Sequence, residues 1–147
     1  MALAIAIERA GAADLEEINA FYTSVGYPDQ ARPIDRLWVA RKGGTTVAAV
    51  RICPQPEGYM LLRGLYVSQS TQRQGIGSRL ARAALADCAG RVCYCIPFAH
   101  LEAFYQKLKF ARIRPEHAPQ KVAERLSRYL DEGLDVILMR RMPVYDC

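Results

Sequence analysis

The chain has 147 residues, 51% hydrophobic and 24% charged, with a formal net charge of +5 from 20 basic against 15 acidic residues. That length fits one domain, 1–147, able to bury about two-thirds of the surface its unfolded chain exposes. No apolar stretch approaches the roughly 18 residues of a membrane span, and the 16 Arg and 4 Lys are scattered, without the basic run or aromatic interleaving of a nucleic-acid groove. A single domain with no membrane and no nucleic-acid partner is therefore expected. Met1 to Ala20 lacks a basic segment ahead of an apolar core and carries Glu8, Asp14, Glu16 and Glu17, so neither signal nor transit peptide is expected and the expected location is cytoplasmic. The five cysteines, Cys53, Cys88, Cys93, Cys95 and Cys147, are odd in number and are read as free thiols. Cys93-Tyr94-Cys95 lies in a strand-like run with no second Cys/His pair at ligand spacing, so no metal is expected.

In chain order, Ala4 to Glu8 alternates as a strand, and Asp14 can cap a helix through Leu15, Ile18, Phe21 and Tyr22. Pro28 and Pro33 make Gly26 to Arg36 a loop or a short helix. Leu37 to Ala40 and Thr45 to Ile52 are strand-like runs joined by Lys42-Gly43-Gly44, a hairpin signal. Pro54, Pro56 and Gly58 end the second run, and Tyr59 to Val67 forms a third. A helix follows from about Gly75 to Cys88, closed by Gly90, then a short buried strand from Val92 to Ile96.

Leu101, Phe104, Tyr105 and Leu108 give His100 to Lys109 a helical period, and Phe110 to Ile113 returns to strand. Pro119 opens another helix with Val122, Leu126, Tyr129 and Leu130 on one face and Gly133 at its end. Leu134 to Met139 closes as a strand. The order is mixed α/β: an antiparallel meander, a strand–helix–strand unit, then helix, strand, helix and strand.

The junction of the third strand and its helix carries the strongest functional signal. Gln72-Arg73-Gln74-Gly75-Ile76-Gly77 follows the apolar run Leu61 to Val67 and opens the pattern Ser78 to Leu85. Such a turn directs backbone N–H groups at the positive end of a helix dipole, where a phosphate can sit. A dinucleotide fingerprint would need a third glycine and a following acid, and a P-loop would need Gly-Lys-Ser/Thr; neither is present.

Gln72-x-x-Gly75-x-Gly77, preceded by Leu65-Tyr66-Val67, resembles the central signature and fourth strand of the GNAT superfamily of acyl-coenzyme A dependent N-acetyltransferases. Phe104-Tyr105-Gln106-Lys107-Leu108-Lys109-Phe110 is similar to a later segment of that family, at the right separation. The specific match covers about residues 60–112. The resemblance implies a six- to seven-stranded, mostly antiparallel sheet with one splayed parallel pair, flanked by helices, and acetyl-CoA as cosubstrate. It implies that main-chain N–H groups from Arg73 through Gln74, Gly75, Ile76 and Gly77 to Ser78 hold the coenzyme A pyrophosphate. Glycine at 75 and 77 lets the backbone approach closely. The pantetheine arm would add like a strand along Leu65, Tyr66 and Val67. Arg73 either adds a charge-assisted contact or is an exposed helix-entry arginine.

By the same resemblance an acceptor amine attacks the thioester carbonyl directly, an N–H near Leu65 stabilises the oxyanion, and Tyr105 is the general acid. Tyr105 also falls on its helix's apolar stripe, the place of a core tyrosine. Where several members carry a base, this chain has Arg63 and Gly64. Arginine stays charged and cannot serve; Arg63 either binds a carboxylate on the acceptor or pairs with a structural acid. Glu57, Glu102, His100 or a water chain remain as bases. Phe98 stands where many members have an asparagine, and Lys109 replaces the common glycine. The helix Pro119 to Glu132 is expected to shape acceptor choice. The function implied is acetyl transfer to a primary amine of a small molecule or peptide, with a homodimer admitted. Its rivals are a coenzyme A-binding module without turnover and a basic nucleic-acid binder.

Overall fold

A computed structural model describes residues 4–88 and 90–143; Cys147 lies outside them. Seven strands form one sheet: β1 (Ile5–Ala10), β2 (Arg36–Lys42), β3 (Thr45–Pro54), β4 (Met60–Val67), β5 (Cys93–Cys95), β6 (Phe110–Arg112) and β7 (Met139–Arg141). Their order is β1-β2-β3-β4-β5-β7-β6. The β4–β5 pair is parallel and the other pairs are antiparallel. The α-helices among the described residues are α1 (Leu15–Ser24), α2 (Ile76–Leu85), α3 (Glu102–Gln106) and α4 (Gln120–Asp131).

Strand β3 shows how the pattern builds the layers. Successive side chains point to opposite faces, so Ala48, Val50 and Ile52 meet Ile76, Leu80 and Ala84 of α2 on one face. Ala49 turns the other way, toward Ile18, Phe21 and Tyr22 of α1. Cys53, on that same side, packs with Val122 and Leu126 of α4. Both faces of the central strand are covered, and burial pushes the Cys53 thiol up to about 12. Cys53, Cys88, Cys93 and Cys95 are all buried free thiols.

Three local expectations change. Asp14 stands at the N-cap of α1 as expected, but its side chain makes no capping bond to that helix; its carboxylate accepts from the Gly11 N–H at 2.9 Å and closes a 3-10 turn that leads into α1. Leu130 is 49% exposed although Val122 and Leu126 are buried, because the α4 stripe is narrower than its apolar residues. The last ladder is β7, starting at Met139 rather than Leu134; the segment before it makes only an isolated bridge, Phe98 to Val136. Leu134 follows the left-handed Gly133, and β7 then inserts between β5 and β6.

Candidate active site

The parallel pair meets only through Met60–Cys93 and Leu61–Tyr94. Beyond Leu61, β4 continues to Val67 without a β5 partner, so its edge opens. A cavity of about 430 Å³ fills the opening. Because it passes between two strands, it is lined from both sheet faces: Tyr105 comes from α3, Tyr129 from α4 and Tyr27 from the loop after α1.

A β-bulge lies in the wall. Ala49 pairs with Tyr66 and Arg51 with Arg63, leaving Gly64 and Leu65 opposite Val50 alone. Gly64 has φ +64°, and its carbonyl accepts a 2.8 Å hydrogen bond from the Tyr22 hydroxyl. A Cβ here would stand 2.7 Å from that oxygen. Glycine therefore satisfies both the backbone conformation and the close approach. Tyr22, Tyr27 and Tyr66 cluster beside the bulge with tilted rings, their centroids 4.6 Å and 5.0 Å apart in succession.

Arg63, Leu65, Tyr66 and Tyr105 all line this cavity. Tyr105 is 6% exposed, in edge-to-face contact with Phe104 at 5.0 Å and Phe110 at 5.7 Å. Its hydroxyl makes no hydrogen bond among the described residues and is not among their fully buried unpartnered atoms, and the residue lines the cavity. Burial, with lesser effects from Cys95 and Cys93, raises its phenol above the ordinary tyrosine range, so it is a proton-bearing donor at neutral pH.

Val67 and Gln72 through Ser78 lie next along the chain, at the far end of β4. Gly75 takes φ +72° at the N-cap of α2, and Arg73 is also left-handed at +68°. The first helical bond runs from the Arg79 N–H to the Gly75 carbonyl, so Ile76, Gly77 and Ser78 present N–H groups without a helical acceptor. The turn is packed against the strand end: a Cβ on Gly77 would lie 3.5 Å from Val67 Cγ2 and 3.9 Å from Phe104 Cζ. The Gln72 amide is engaged internally, donating to the Val67 carbonyl at 3.1 Å. Arg73 and Gln74 are exposed.

Arg63 donates to Asp29 at 2.8 Å, and Asp29 also accepts from Arg51 at 2.9 Å. Arg51, 1% exposed, further reaches Tyr27 Oη at 2.6 Å, the Gln30 carbonyl at 2.8 Å and Asp35 at 3.1 Å, tying the loop 26–36 to β3. Burial alone would raise the Asp29 carboxyl, but the Gln30 N–H and the two arginines hold it below its ordinary value. It is charged and a weak base.

Glu57, Glu102 and His100 do not line the cavity. Glu57 faces Lys121 at 3.5 Å, Glu102 faces Arg112 at 3.8 Å, and His100 stacks on Phe98. The carboxylates at the cavity are Asp29 and Glu132, which sequence reasoning missed along with Tyr27, Arg125 and Tyr129 as site residues. For the last two and Glu132 a signal existed: 125, 129 and 132 share one helix face. For Tyr27 and Asp29, in an irregular loop, none did. Phe98, 42% exposed, stands on the rim, and Lys109 keeps a left-handed backbone at φ +76°.

The fold and this opened strand pair define a protein of the acyl-CoA acyltransferase type. The family model described as an acetyltransferase (GNAT) domain matches residues 33–112, more than half of the chain. The chain belongs to the GNAT acetyltransferase family, whose cosubstrate is acetyl-CoA. No curated protein matches the sequence. Among solved structures, N-acetylglutamate synthase from Neisseria gonorrhoeae, complexed with coenzyme A and N-acetyl-glutamate, superposes with TM-score 0.75 at 15% identity, over 97% of this chain and 36% of that one. A GNAT acetyltransferase from Staphylococcus aureus gives 0.68 at 15% identity, covering 95% and 99% of the two chains. An acyl-CoA N-acyltransferase from Pseudomonas aeruginosa gives 0.67 at 20%, covering 94% and 99%. The chain thus spans about a third of the Neisseria synthase and nearly all of the other two. At these identities the likeness is one of fold.

Proposed function

We propose that the protein transfers the acetyl group of acetyl-CoA to a primary amine of a small molecule or peptide, by direct attack within a ternary complex. The observation that carries this reading is the cavity at the β4–β5 opening, with the proton-bearing Tyr105 hydroxyl in its wall and the N–H-rich turn at the end of the same strand. The N–H groups from Arg73 to Ser78 suit a pyrophosphate. The unpaired edge of β4 from Leu65 to Val67 suits an amide-bearing arm that adds as a strand.

The amine nitrogen attacks the thioester carbonyl, a C–N bond forms, and the C–S bond breaks. The N–H of Leu65, in the bulge, is the candidate donor to the oxyanion. Tyr105 gives its proton to the departing sulfur, and the ammonium proton leaves through water or through Glu132, the cavity carboxylate that is not held in an ion pair among the described residues.

A thermal shift with acetyl-CoA tests the cosubstrate: at 100 times Kd a bound ligand adds about 2.7 kcal/mol. No shift at millimolar acetyl-CoA refutes the reading. An acceptor panel followed by free-thiol release then separates turnover from a coenzyme A-binding module without chemistry. A module would bind and release no thiol.

A further inference from the structure

The end of the cavity away from the turn carries two arginines and a tyrosine. A strand rises about 3.3 Å per residue, so Arg63 lies roughly 13 Å from Val67 along β4, on the side from which an acceptor would meet the thioester. Arg63 and Arg125 both line this end, one from β4 and one from α4, with the Tyr129 hydroxyl among them. Arg125 reaches Tyr129 Oη at 3.5 Å and has no carboxylate within 4 Å among the described residues. Burial alone would raise the Tyr129 phenol, but the Arg125 contact and the charge of Arg63 draw it below the ordinary tyrosine value, so it sits in a positive field.

The local charges do not cancel this. Asp29 is shared between Arg51 and Arg63, and Asp35 is bound by Arg51. Two arginines and two carboxylates close that network and leave the Arg125 guanidinium over. Glu132, which ends α4 three residues beyond Tyr129, lines the same cavity and forms no ion pair with Arg125 among the described residues. A half-buried guanidinium and a separate carboxylate thus face one space of about 430 Å³, which also has to admit the acyl end of the donor. A compact acceptor carrying its own anion and its own amine fits both.

We infer that the acceptor is a small amino-carboxylate, an amino acid or a compound of that size, whose carboxylate is bound by Arg125 and Tyr129 with Arg63 behind them. Glu132 then faces the amine. This rests on the acetyltransferase reading above. A carboxylate met by a guanidinium and a phenol gains charge-assisted hydrogen bonds that a neutral amide at the same place does not.

The test compares the twenty L-amino acids with their C-terminal amides, and with spermidine and tyramine as amines lacking a carboxylate. Thiol release measures turnover, and calorimetry on the coenzyme A-loaded protein measures binding. At least one free amino acid should be preferred over its amide by roughly 10-fold or more in kcat/KM or Kd. Arg125→Gln should reduce that preference to within about 3-fold through the acceptor KM, leave the acetyl-CoA KM unchanged, and be partly rescued by Arg125→Lys. Equal use of amides, preference for spermidine or tyramine, a preference that survives Arg125→Gln, or no binding by any amino acid overturns the inference. Failure of the underlying reading is separately visible, as absence of an acetyl-CoA thermal shift.

Discussion

Replacing Gly64 by Ala should both destabilise the fold and disturb the site, and the size of the effect follows from the bulge. The residue holds φ +64°, and the added Cβ would stand 2.7 Å from Tyr22 Oη and 3.1 Å from Tyr22 Cζ. A left-handed Ala costs about 1–2 kcal/mol, and displacing the Tyr22 hydroxyl from the Gly64 carbonyl, a 2.8 Å bond, costs about 1–2 kcal/mol more. The sum is on the order of 3 kcal/mol, or roughly 6–12 °C in Tm for a chain of this size. Tyr22→Phe alone loses the same hydrogen bond, at about 1–2 kcal/mol. The double variant should be little worse than Gly64→Ala, because the bond is lost only once and the Oη that crowds the Cβ is gone. Urea unfolding of the four proteins measures the cycle. A double-variant loss equal to the sum of the singles within about 0.5 kcal/mol would refute the coupling, and a Gly64→Ala cost below about 1 kcal/mol would refute the bulge geometry. The same variants should lose turnover, since the Leu65 N–H is the next residue.

Tyr105→Phe should lower kcat by about 100-fold or more while leaving the acetyl-CoA KM nearly unchanged; equal turnover in the thiol assay removes Tyr105 from the acid role. Because burial raises this phenol, the wild-type kcat should show no alkaline fall at the ordinary phenol value of about 10; a Tyr105-dependent fall between pH 8 and 10 contradicts that environment. Lys109→Gly should raise Tm by a degree or two, as the φ +76° strain of roughly 1 kcal/mol outweighs the entropy glycine adds to the unfolded chain; a lower Tm sinks this account. The Asp29 carboxyl titrates below its ordinary value in the folded state, so its stabilising effect is complete above the unfolded value of about 3.9 and is lost as pH falls through the folded one. The Tm gap between wild type and Asp29→Asn should therefore narrow from pH 5 to 2.5, and a constant gap would rule it out.

The sheet and helices were legible because their signals are local. Apolar strand-like runs such as Thr45 to Ile52 and period-3.6 stripes such as Ile76, Leu80 and Ala84 need no distant partner to be read. The glycine turn was legible for the same reason, since Gly75 at φ +72° and the open N–H groups after it depend only on strand meeting helix. Arg63 illustrates the boundary. Its sequence position left two roles open, and the fold shows it bonded to Asp29 while lining the cavity.

What only the tertiary structure decided is the company each side chain keeps. Arg51, hydrophobic in neighbourhood and central in its strand, is held by loop residues 21 and 22 positions earlier, Gln30 and Asp29. Asp29 and Arg125 are 96 residues apart and share one cavity. No spacing rule links them, because their meeting depends on β4 and β5 parting after Leu61. The sequence by itself determined the elements, their order and the glycine turn that leads β4 into α2, through contacts within a few residues. Which charges line the cavity was decided by how helices on opposite faces of the sheet reach through the gap between two strands, a property of the packed whole.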